Sequence, residues 1–81
     1  MGHRTYIIRG TKEIEVFGDV YQDGIGYWDE HQFVVERVPE FFITEAYNND
    51  SRKAVALKSL TSKEILCILD MFTQDYWDQV L

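Results

Sequence analysis

The chain of 81 residues predicts an α+β fold: a small antiparallel β-sheet of three to four strands packed against one C-terminal α-helix. Three observations lead there. The first part of the chain is a series of short β-rich runs parted by turn residues. One run, EIEVFGDVY over residues 13–21, alternates side chains with period two. The final segment opens on a capping box and carries apolar residues at helical spacing.

Each element follows from its residues. TYIIR, residues 5–9, is rich in β-formers and reads as a strand, with Gly10-Thr11 as the turn after it. In residues 13–21, Ile14, Val16 and Val20 share one face, and Glu15, Phe17, Asp19 and Tyr21 the other. Gly18 inside this strand marks a bulge or a close approach of another backbone. QDGIGYWDEH, residues 22–31, reads as a hairpin connection, because Asp-Gly with a further glycine is turn chemistry. QFVVERV, residues 32–38, is a strand that Pro39 ends, since proline has no N–H for a ladder. FFITEAY, residues 41–47, is the next. Asn48-Asn49-Asp50-Ser51 is a turn, and KAVALK, residues 53–58, is expected to return as a further strand, with extension of the helix as the alternative.

The helix begins with Thr61 at the N-cap and Glu64 three residues on. Ile65, Ile68, Leu69, Phe72, Tyr76 and Val80 form the inward stripe, widened by Leu66 and Trp77. Glu64, Cys67, Met71, Gln74, Asp75 and Asp78 fall on the opposite face. About twenty helical residues span ~30 Å, enough to cross a small sheet.

Composition narrows the function classes. Residues 1–81 are expected to form a single domain. Apolar content of 46% and aromatic content of 15% argue against a disordered chain. Fourteen carboxylates against eight Lys and Arg give a net charge of −6, which disfavours direct contact with nucleic acid or an anionic membrane and suits a basic protein partner. A single cysteine, Cys67, forms no internal disulfide and fits a reduced cytoplasm. No apolar run approaches a membrane span, residues 1–12 lack the apolar core of a signal peptide, and Tyr6 stands where a myristoylation signal needs Ser or Thr.

No enzyme, cofactor or metal is expected. The serines lack a nucleophile elbow, Cys67 lies mid-helix without a flanking base, and Gly24-Ile25-Gly26 lacks the third glycine of a phosphate loop. Asp23, Asp29, Glu30 and His31 are metal-ligand types. However, Asp29, Glu30 and His31 are consecutive, and in an extended chain their side chains alternate faces.

Two features point instead to binding. Tyr27 and Trp28 are of the kind that anchors interfaces; Trp28 either stands out on this tip or folds back to cap the core. Around them, residues 13–36 hold seven carboxylates and no Lys or Arg. Carboxylates along one strand face repeat at about 6.6–6.8 Å, and phosphates along a DNA strand at about 3.4 Å. An acidic strand and loop can thus present the charge pattern of a nucleic-acid backbone to a basic cleft; the plain alternative is a solvated strand face. The expected partner-binding set is Glu13, Glu15, Asp19, Asp23, Tyr27, Trp28, Asp29 and Glu30. Met71 and Cys67 on the far side of the helix, with Trp77 and Leu81 at the edge of the stripe, are a second candidate surface; a homodimer would form through this outer face or a sheet edge, with Met71, Trp77 and Leu81 in the seam.

A strand IEVFGDV, an acidic aromatic loop, a strand FVVERV and a helix opening LTSKE resemble small accessory proteins of bacteriophages over most of residues 12–70. In kind, the chain is similar to phage counter-defence proteins, including anti-CRISPR inhibitors. The resemblance carries over no functional residue, and this chain has an additional N-terminal strand and a longer helix. What it implies is a small acidic protein, in the cytoplasm of a bacterial host cell, that inhibits or modulates a larger basic protein or ribonucleoprotein complex by occupying its nucleic-acid-binding surface. The alternative is a homo-oligomeric assembly module.

Overall fold

Strands that are apolar on one side need a cover on that side. The computed structural model describes residues 2–80 and supplies that cover from the C-terminal helix. The order is β1 (Gly2–Arg9), β2 (Lys12–Gln22), β3 (Ile25–Asp29), β4 (Gln32–Arg37), β5 (Glu40–Asn48), a 3₁₀ turn at Leu57–Ser59, and α1 (Ser62–Val80). β2 is central in a three-stranded antiparallel sheet of order β1-β2-β5, while β3 and β4 pair only with each other. The α+β class is therefore as the sequence predicts: a small antiparallel sheet against one C-terminal helix.

The period-two pattern of β2 sends Ile14 and Val16 into the core, beside Ile7 of β1 and Phe41 and Ala46 of β5. From α1, Ile68 and Phe72 meet them, both at 0% exposure. Fully burying an aliphatic or aromatic side chain of this size stabilises by about 1.5–3 kcal/mol. Gly18 satisfies both readings of its position. The β2–β5 register shifts between Phe17 and Gly18, and a Cβ there would stand 2.5 Å from Phe72 Cε2 and 2.6 Å from the Phe42 carbonyl oxygen.

The helix is pinned at both ends to β1. The Glu64 N–H donates to Thr61 Oγ1 (3.1 Å), and the Thr61 N–H donates to Glu64 Oε1 (2.9 Å), a closed capping box. The same carboxylate takes the Arg9 guanidinium at 2.7 and 3.1 Å. Toward the other end, buried His3 meets Asp75 Oδ2 through Nδ1 at 2.9 Å, with Phe41 and Phe72 packed around the imidazole.

Four expectations are corrected. Residues 53–58 form no strand. Only Ala54 bridges to Tyr47, with Val55 N–H donating to the Ala46 carbonyl, before the 3₁₀ turn. The Asn48 side chain caps the preceding turn, Arg52 takes φ 60°, and the chain then leaves the sheet for the start of α1. QDGIGYWDEH is not a connection but contains β3, and the turn is Glu30-His31, with Glu30 at φ 58°. The face of α1 expected to point outward is partly turned to β1: Glu64 holds Arg9, Met71 accepts the Thr5 hydroxyl at 2.8 Å, and Asp75 holds His3. Their spacing places them on the one side of the helix that faces β1. Leu66, expected to widen the apolar stripe, is 69% exposed. Leu81 and the Val80 side chain lie outside the described residues.

Candidate functional site

β3 and β4 form an arm. Their register, Ile25↔Arg37, Tyr27↔Val34, Trp28↔Phe33 and Asp29↔Gln32, assigns the faces, because opposite residues in an antiparallel pair share one. Trp28 and Phe33 lie on the face turned to α1; Tyr27, Val34, Asp29 and Gln32 lie on the other. The molecule is drawn out to 47 × 22 × 21 Å, and its radius of gyration is 14.4 Å, against about 12 Å for a compact chain of this length.

The arm is held at its base. Phe33 packs edge-on against Trp77 of α1 (5.3 Å between ring centres), and Trp77 packs edge-on against Tyr76 (5.1 Å). Gly26 makes room for this contact: a Cβ there would fall 2.6 Å from Phe33 Cζ and 3.1 Å from Trp77 Cη2. The Gly24 N–H donates to the Tyr76 hydroxyl at 3.0 Å, and Arg37 Nε donates to the Asp23 carbonyl at 2.9 Å. Trp28 continues the stack outward, edge-on to Phe33 at 5.4 Å. It does not cap the core and is 61% exposed; Tyr27 on the opposite face is 46% exposed. Asp29 and Glu30 are exposed at the tip, and Asp23 is exposed at the base.

The eight residues of the expected binding set thus fall into two groups. Asp23, Tyr27, Trp28, Asp29 and Glu30 belong to the arm and its base. Glu13, Glu15 and Asp19 belong to the face of the sheet away from α1, and there they are engaged locally. Glu15 is 5% exposed. Tyr6 donates to its Oε2 at 2.9 Å, Arg52 Nη1 lies 3.5 Å from Oε1, and Arg4 Nη1 lies 3.8 Å from Oε2. Asn49 Nδ2 donates to Glu13 at 2.7 Å, and the Val20 N–H donates to Asp19 Oδ1 at 2.8 Å. Register explains Glu15: β1 sets Tyr6 opposite it, and the turn after β5 delivers Arg52. Cations absent from residues 13–36 in sequence therefore stand beside Glu15 in space.

The same sheet face carries aromatic residues that sequence reasoning did not assign to a site. Phe17 and Tyr47 pack edge-on at 6.1 Å, and Tyr21 lies 6.2 Å from Phe42. Tyr21 donates to Glu40. The phenols of Tyr6, Tyr21 and Tyr47 are pushed above their usual range, chiefly by hydrogen bonds to Glu15, Glu40 and Glu45. On the arm, Ile25 and Val35 are also exposed; their signal in the sequence was the alternation on either side of the turn. Met71 and Trp77, expected in one seam, serve different contacts, Met71 with Thr5 and Trp77 with Phe33.

No group of His, Cys, Asp and Glu among the described residues is arranged to hold a metal ion, and no helix among them is long and apolar enough to cross a membrane. No protein-family model, curated protein or solved structure matches the chain.

Proposed function

We propose that this chain is a small acidic, non-enzymatic binding protein of a bacterial cytoplasm that inhibits or modulates a larger basic, nucleic-acid-handling defence complex, as phage counter-defence proteins of the anti-CRISPR kind do. The observation that supports it is the arm: a fixed ribbon holding Trp28 more than half exposed beside Asp29 and Glu30. A pre-ordered anchor loses little conformational entropy on binding. Carboxylates at the tip steer it toward Lys and Arg, while the tryptophan supplies the buried contact area. Glu30 keeps a left-handed backbone at φ 58°, where Gly or Asn is less strained. A tip selected only as a turn does not need that acid. The ribbon enters the partner's basic cleft and excludes the nucleic acid by volume and charge.

The test is affinity capture from a bacterial lysate across a salt series, followed by binding measurements with two arm variants. A single basic partner should elute as salt rises. Trp28→Ala should weaken its binding by about 2 kcal/mol or more, the size of an interface hot spot. The double variant Asp29→Lys, Glu30→Lys should slow association, with the helical circular dichroism unchanged. Binding indifferent to both variants sinks the proposal.

A further inference from the structure

We propose that the outer edge of β1 is a second docking site, one that adds an extended strand from another protein, apolar in its centre and acidic at its flanks. The sheet order leaves β1 as an edge along Gly2–Arg9. Alternate residues of an edge strand direct their N–H and C=O groups outward, at a spacing that matches another extended chain. The opposite edge differs, because β5 is partly covered by the bridge to Ala54 and the Val55 N–H bond to Ala46. β1 holds no proline and no carboxylate, and its centre is Tyr6-Ile7-Ile8. Natural edges are commonly protected by proline, bulges or charges; β1 has Arg4 and Arg9 at its flanks and no charge in its centre.

Beside this edge runs a groove of about 410 Å³ between β1 and α1, lined by Tyr6, Ile8, Lys63, Cys67 and Met71, among other residues. Ile8 is 68% exposed there. A strand paired to β1 would lay its alternate side chains into this groove, the usual division in strand addition: main chain for affinity, pocket for selectivity. The charge of the rim selects the occupant. Lys63 lines the groove and has no ion-pair partner among the described residues. The Arg4 side chain, 60% exposed, lies 5.9 Å from the Tyr6 ring centre and is shared with Glu15 Oε2 at 3.8 Å. Glu64, the carboxylate at this edge, is already bound by Arg9. In a chain of net charge −6, the cation left over at this edge, once Arg4 and Arg9 are matched to Glu15 and Glu64, is Lys63. A second copy fits it poorly, since β1 against β1 brings no carboxylate to Lys63, only Arg4 and Arg9 already matched to their own Glu15 and Glu64. The site is independent of the arm, so either surface can fail without the other.

The experiment uses the full chain labelled with ¹⁵N and two short synthetic peptides of alternating Val and Thr, one flanked by Glu and its twin flanked by Lys. The Glu-flanked peptide should shift the amide signals of Tyr6, Ile7, Ile8 and Cys67 and slow alkylation of Cys67 by iodoacetamide. It should bind about tenfold tighter than its twin, the size of one modest charge pair. Lys63→Glu, on the exposed surface of α1, should abolish that preference while the helical signal is kept. The proposal is overturned if the β1 amides do not move, if both peptides bind alike, or if doubled mass and β1 protection arise without peptide, which assigns the edge to a second copy.

Discussion

At the scale of single residues, Glu64 joins three parts of the molecule: its own helix cap, the end of β1 through Arg9, and the approach to α1 through Thr61. The Arg9 guanidinium first, and the Thr61 N–H second, hold its carboxyl down at about 2. The unfolded chain has the higher, ordinary carboxylate value. The group's contribution to stability is therefore complete above that ordinary range and is lost as pH falls through it toward about 2. Thermal melts from neutral pH to pH 2 should fall steeply for the native chain. Glu64→Gln should start less stable at neutral pH and give a flatter profile. The phenols of Tyr6, Tyr21 and Tyr47 carry the opposite sign: raised in the fold, they contribute below the ordinary phenol range, and this is lost as pH rises past it. An ultraviolet titration should find all three ionising late. At the tip, Glu30→Asn should raise stability by about 0.5–1 kcal/mol, because asparagine tolerates the left-handed backbone. It should also weaken partner binding if the acid at the tip is functional.

At the scale of elements, small residues set how closely the pieces meet. Gly18→Ala should cost about 2–3 kcal/mol in chemical unfolding, since the Phe42 carbonyl and the Phe72 ring leave no room for a methyl group. Trp77→Ala should cost about 2 kcal/mol, less than a fully buried tryptophan because Trp77 is only partly covered. It should also free the arm from α1, read as loss of the edge-on ring shifts at Phe33. The elements differ in how far they could be read in advance. The cap at Thr61 and Glu64, and the alternation in β2, are local, so spacing alone sufficed. β3 escaped notice because Gly26 dilutes its strand character and Glu30-His31 carries no Asn-Gly signal. Residues 53–58 have the composition of a strand, but their path from the sheet edge to the helix leaves room for only one bridge.

At the scale of the whole molecule, the arm accounts for the elongated shape, while the core beneath α1 depends on β1, β2 and β5. Replacing residues 27–36 with a tight Asn-Gly turn should therefore leave the helical and sheet signals in place. The radius of gyration in solution scattering should drop toward about 12 Å. A chain that unfolds instead would make the arm part of the cooperative core.

The sequence by itself determined the α+β class, the capped C-terminal helix, the inward faces of β2 and the overall acidity, because each rests on neighbours within a few positions. Only the tertiary structure decided which carboxylates remain open to a partner. Glu15 sits in a stretch of sequence, residues 13–36, without Lys or Arg until β1 brings Tyr6 and Arg4 beside it and the turn after β5 brings Arg52. Among the described residues Asp29 and Glu30 have no such ion pair, since they ride on an arm that leaves the sheet. The physical reason is range. Periodicity and capping act along the chain, whereas charge acts through space, and strand register sets which charges become neighbours.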